Sequence, residues 1–155
     1  MCAHAIRLLL LLTAATAAVW AADPVLGTWK LDSTKSNFRP GPPPANQTRV
    51  YEATPEGVKV TITTTHADGQ STTIEHPANF DGKDYPVTGS AQPYAISLKR
   101  IDDYSSESTL KHASKIIGTA KRTVSSDGKT MTVSYQGLDG RGRQVDNVAF
   151  YVREE

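Results

Sequence analysis

Cysteine is all but missing from the 155 residues: Cys2 is the only one. A fold held by an intrachain disulfide is therefore excluded. Charge of one sign is missing too, with 17 Lys+Arg against 16 Asp+Glu, which removes the electrostatic case for a nucleic-acid or anionic-membrane partner. No stretch sustains a 3.6-residue apolar period over three turns, so helix content should be small. No Gly-x-Ser-x-Gly elbow is present. His66, His76 and His112 are spaced 10 and 36 residues apart, a pattern that fits no compact metal site even with Glu75 added. Catalytic residues, metal ligands and cofactors are accordingly assigned to nothing in the chain. What remains, 38% hydrophobic and 21% charged residues with 11 Gly and 9 Pro, suits one soluble domain.

The first 21 residues read as an address. Arg7 is followed by the aliphatic run Leu8 to Leu12 and then by small residues from Thr13 to Val19, the charged, apolar and small-residue order of a cleavable secretory signal. The run is too short, and lacks the flanking charges, for a membrane-spanning helix. Cleavage after Ala21 would leave residues 22–155 as one domain, periplasmic or secreted, with no stable insertion in the membrane. It would remove Cys2 and Arg7, so that 16 basic and 16 acidic residues remain. Folding in an oxidising compartment would then proceed without disulfides, on an apolar core alone.

Within residues 22–155 strands and turns alternate. Val58 to Thr65 alternates apolar and polar positions and is rich in β-branched residues, the mark of a half-buried strand. Asp68-Gly69, Asp81-Gly82 and Asp127-Gly128 read as hairpin turns. Further strands are expected at 25–32, 48–53, 71–76, 94–101, 106–112, 116–125, 130–136 and 145–153. Residues 33–45, with Pro40, Pro42, Pro43 and Pro44, are expected to form a stiff loop that is neither strand nor helix. Parity puts Val25, Trp29 and Leu31 on one inward face, Tyr94, Ile96 and Leu98 on another, and Met131, Val133 and Tyr135 on a third. In the last strand Val148, Phe150 and Val152 are taken as inward, with a bulge near Asp146-Asn147 to bring Val145 into phase. About eight to ten strands joined by hairpins, with no helix to cover them, predict an all-β antiparallel up-and-down barrel.

Gly27-Thr28-Trp29-Lys30-Leu31 resembles the opening of the calycins, the superfamily of lipocalins and fatty-acid-binding proteins. The resemblance implies that Gly27 and Trp29 close the base of the barrel with a basic residue of the last strand, Arg153, beside the indole. Taken with Lys35, Pro40 to Pro44, Asp81 to Thr88, Ser97 to Asp102 and Ser126 to Val133, the chain looks like a family of exported bacterial proteins with a lipocalin-like barrel. That family carries no established activity. The arginine-x-tyrosine pair that binds fatty acids in the better-known relatives has no counterpart in Val148 to Val152, so the role passes to no residue here.

A small barrel either fills with side chains or encloses one small ligand. Parity sends Arg100, His112, Arg122 and Tyr135 inward, while Tyr94 and Tyr85, the latter held extended before Pro86, offer aromatic rims. These six residues are the candidate lumen or rim contacts. Each has a plainer reading. In it the arginines snorkel to solvent, and Tyr85 staples a hairpin to the wall. Two functions of different kinds follow. One is a non-enzymatic exported protein holding a small apolar or amphipathic ligand in its cavity, for which a drug-sized pocket of roughly 300 Å³ or more is expected. The other is an envelope interaction module, a filled barrel that binds a partner through its loops or outer face. The sequence carries no signal of oligomeric state.

Overall fold

The computed structural model describes residues 22–155. The expected signal segment, residues 1–21, lies outside the described residues. Eleven antiparallel strands follow one another: β1 (Gly27–Leu31), β2 (Asn37–Arg39), β3 (Asn46–Thr54), β4 (Gly57–Thr65), β5 (Ser71–Ala78), β6 (Tyr85–Val87), β7 (Tyr94–Arg100), β8 (Ser105–His112), β9 (Lys115–Val124), β10 (Thr130–Leu138) and β11 (Gln144–Arg153). Their order, β5-β4-β3-β1-β11-β10-β9-β8-β7-β6, is an up-and-down meander rolled round until its ends meet. The seam is narrow. Glu75 and Thr88 exchange backbone hydrogen bonds of 3.1 and 2.9 Å, and this bridge nearly closes the barrel.

The turns explain why the chain reverses where it does. Asp68, Asp127 and Asp139 each accept a hydrogen bond from the backbone N–H two residues ahead, at 3.0, 3.0 and 2.8 Å. The carboxylate thereby completes a turn that the backbone alone would leave unsatisfied. Asp81 uses the same device toward Lys83, at 2.9 Å. Its turn reverses the chain between β5 and β6, which meet only through the Glu75–Thr88 bridge, so the hairpin expected there is an open one.

Residues 33–45 depart from the expected loop. Ser33–Lys35 makes a 3-10 turn capped by Asp32, and Asn37–Arg39 is a strand on β11. β1 covers β11 only as far as Tyr151, and the free edge beyond it recruits residues 37–39. Strands β1 and β2 are thus one interrupted stave, and ten staves make the wall. In β11 the expected parity is reversed. Ala149 and Tyr151 are buried, whereas Val148 and Val152 are 40% and 42% exposed. The pairing of β11 with β10 runs in unbroken register from Val152 to Gln144, with no bulge.

The base of the barrel is sealed. Trp29 is fully buried, and its indole N–H donates to the Val25 carbonyl at 2.8 Å. The Arg153 guanidinium lies 4.2 Å above the indole ring. It donates to the carbonyls of Gly128 (2.6 Å), Pro24 (2.5 Å) and Leu26. Gly27 makes this approach possible. Its φ is +119°, and a Cβ there would lie 2.6 Å from an Arg153 nitrogen, so any side chain would meet both strain and a clash.

Candidate functional site

Above the sealed base the interior is not filled. A cavity of about 180 Å³ runs through the lumen. It is lined by Val60, Ile62 and Ile74 from one side of the wall, by Ile96, Leu110 and Val133 from the other, and by the rings of Tyr51, Phe80, Tyr94 and Tyr135. At the far end it meets an open depression of about 630 Å³, which shares Tyr94, Leu110 and Tyr135 with it and adds His112, Ile117, Leu138 and residues 139–142. The lumen alone is smaller than the drug-sized pocket set out above, and the mouth extends it.

Missing side chains keep the mouth wide. Gly118 and Gly137 face each other across β9 and β10. A Cβ on Gly118 would lie 2.4 Å from the Tyr135 hydroxyl, and one on Gly137 would lie 2.8 Å from it. The Tyr135 ring therefore lies flat on a wall of glycine, with its hydroxyl donating to the Leu138 carbonyl at 2.8 Å. A larger residue at Gly118 would push the ring into the opening, whereas one at Gly137 would first meet the β9 backbone, at 2.3 Å from the Ile117 carbonyl oxygen.

Of the six candidate contacts, Tyr94, Arg122 and Tyr135 line the lumen, and His112 stands at the mouth with Nδ1 2.6 Å from the Pro93 carbonyl oxygen. Arg100 is not among the lining residues. It lies toward the base, pairs with Asp23 at 2.6 Å and stacks over Phe80 at 4.2 Å. Tyr85 lies apart from the cavity, with its hydroxyl donating to Asp81 at 2.5 Å, an arrangement that ties β6 to the preceding turn. His66 contacts Thr72 at 3.0 Å near the β4–β5 turn, while His76 faces the lumen. The three downstream histidines are thus in three separate places.

Four lumen residues escaped the sequence reading. Arg49 on β3 donates through Nε to the Tyr151 hydroxyl at 3.0 Å and to Gln47 at 3.3 Å. His76 on β5 is buried, and desolvation, opposed by a hydrogen-bonding contact with the Pro77 carbonyl and reinforced by Arg49, holds its pKa below the ordinary histidine range. Tyr51 presents its ring to Arg122, 5.4 Å from the guanidinium carbon. Phe80, at a left-handed φ of 53°, sits against Arg122 at 5.8 Å on one hand and Arg100 on the other. Parity with Tyr51 would have found Arg49, and parity with Ile74 would have found His76.

Electrostatically the lumen is one-sided. Arg49, Arg122 and His76 line it, and among the described residues no aspartate or glutamate does. Arg122 is only 8% exposed. Burial lowers its pKa from the ordinary guanidinium value, although a guanidinium stays charged throughout the accessible pH range. The Arg122 Nε has no hydrogen-bond partner.

Compared with known proteins, the chain matches no family model and no curated protein. The architecture itself, an antiparallel and nearly closed β-barrel with a base plugged by tryptophan and arginine, is compatible with a lipocalin-like or calycin-like fold.

Proposed function

We propose that the protein is an exported, lipocalin-like carrier that holds a small amphipathic molecule in its barrel without chemically changing it. The observation that carries this reading is a lumen cavity that adjoins a mouth depression through Tyr94, Leu110 and Tyr135, walled by apolar and aromatic side chains, with the Tyr135 ring seated on Gly118. Pockets that bind small molecules combine an apolar wall with a few convergent polar groups, and Arg49, His76 and Arg122 are such groups. The lumen volume selects a short ligand, or one whose body lies partly in the mouth. Export rests on the N-terminal sequence pattern of residues 1–21. The family likeness adds the fold and the route but no ligand, and fold alone does not set function.

An interaction module with a filled barrel is less well supported. The exposed large apolar residues, Ile101, Tyr104, Ile116, Val148 and Val152, are divided among the β7–β8 turn, the start of β9 and the outer face of β11. The test is native mass spectrometry of protein purified gently from the periplasm or medium of the producing cell. The carrier reading predicts a reproducible additional mass that is released on unfolding. A chain recovered bare from every preparation would contradict it.

A further inference from the structure

We infer that the turn between β10 and β11, residues 139–143, is a movable cover over the open end of the barrel, and that the Gln92–Gly140 hydrogen bond is its latch. This rests on the carrier reading above and adds how a ligand is admitted and retained.

The turn is built to move as one piece. Asp139 ties it together, since one carboxylate oxygen accepts from the backbone N–H groups of Arg141 and Arg143 at 2.8 and 2.9 Å and the other accepts from the Arg143 Nε at 2.8 Å. The Asp139 and Gly142 N–H groups donate to the carbonyls of Arg143 and Asp139, both at 2.9 Å. With these polar groups bonded to one another, the turn can shift without stranding them. Ties to the rest of the barrel are few. Among the described residues, the one hydrogen bond that reaches the turn from another part of the chain runs from Gln92 Nε2 to the Gly140 carbonyl, at 3.3 Å. Arg141 makes no ion pair among the described residues.

Space lies on both sides of the turn. Asp139, Gly140 and Arg141 line the mouth depression of about 630 Å³ and also a second one of about 600 Å³, which is lined as well by Phe38, Pro42 to Pro44 and His66. A Cβ built on Gly140 or Gly142 would meet no atom within 4 Å. The turn is thus a partition between two voids, without the buried apolar contacts that hold a segment in place. The proline-rich wall is the fixed side, because each proline ring locks its φ. A swing toward that wall fills the second depression and widens the mouth. The latch to Gln92, on the β6–β7 connection, holds the turn in the depression that Tyr94 and Tyr135 share with the lumen.

Tying the cover down tests it. In the double variant Gln92→Cys/Gly140→Cys, made with Cys2→Ala, oxidation fixes the latch and reduction frees it. Gly140 can take the change, as a Cβ there meets open space. Line-shape NMR of the Ile62 and Ile74 methyls, which face the lumen, reads the exchange of hexan-1-ol. The oxidised form should exchange the alcohol at least about tenfold more slowly than the reduced form, because a covalent tie removes the opening step. Binding by the reduced form alone would support the cover equally. Equal exchange in the two forms would overturn the cover and leave the carrier reading standing. Absence of binding in both forms and in the unaltered protein would overturn both. Should the variant not fold or the pair not oxidise, backbone relaxation dispersion of the unaltered protein decides the matter, since lid opening falls in the microsecond-to-second range. Residues 139–143 should show exchange while the middle of β10 and β11 stays flat, and flat profiles throughout the turn would overturn the proposal.

Discussion

Arg153 and Arg122 both reach into the barrel, yet they are held there in different ways. At the base, Arg153 spends its donors on the carbonyls of Pro24, Leu26 and Gly128 and its face on Trp29. Nothing there is left for a ligand, and the N-terminal segment becomes a plug. In the lumen, Arg122 is buried against the rings of Tyr51 and Phe80, and its Nε lacks a hydrogen-bond partner. A guanidinium with every donor satisfied stabilises the fold, whereas a buried donor without a partner costs free energy.

The strongest way to break this contrast is to remove the indole. Trp29→Ala deletes the largest buried ring and the donor to Val25, and should lower unfolding free energy by about 3–5 kcal/mol in denaturant titration. A loss below about 1 kcal/mol would place the ring outside the core. Arg153→Met should come next, at about 2–3 kcal/mol, because it strands carbonyls that had charged donors. Gly118→Val forces Tyr135 off its wall, and should cost about 1–3 kcal/mol while weakening ligand binding by about tenfold or more. Unaltered binding would show that the mouth is not the entrance. Arg122→Met should sharpen the comparison by changing stability less than about 1 kcal/mol, since replacing a buried charge by an apolar side chain of similar volume is often neutral or stabilising.

The smallest effect concerns pH. Burial holds the folded-state pKa of His76 below the ordinary value near 6.5. On acidification the unfolded chain therefore takes up the proton first. The stability tied to His76 is complete above about pH 6.5 and declines as pH falls toward the folded-state value. Thermal unfolding between pH 7.5 and 5.5 should show a steeper decline for the unaltered protein than for His76→Gln. Parallel curves would remove the histidine from the account.

Much of the wall was legible because its strands have one apolar and one polar face. Tyr94, Ile96 and Leu98 on β7, and Met131, Val133 and Tyr135 on β10, follow period two, and all but Met131 line the lumen, Met131 lying in the core. The same pattern misled in β11. Its outer face is also apolar, since Phe150 is covered by Lys35, whose ammonium lies 5.1 Å from the ring, so parity had no contrast to detect. Strand β2 was invisible because three residues carry too little propensity, and it exists only because β11 offers a free edge. Arg49 was missed for a related reason. Val50, apolar and beside it, belongs to the opposite face of β3, and the true inward marker is Tyr51. That the Arg122 Nε lacks a partner is a fact of three dimensions. Its candidate acid, Asp23, is 99 residues away in sequence and is committed to Arg100.

The most direct measurement is methyl and aromatic NMR of the unaltered protein during titration with hexan-1-ol, a small amphipathic probe. The account predicts saturable shifts at Ile62, Ile74, Ile96, Leu110 and the Tyr94 and Tyr135 rings, with Val148, Val152 and Ile116 on the outer surface unmoved. Shifts confined to the outer surface, or a lumen that stays silent at saturation, would contradict it.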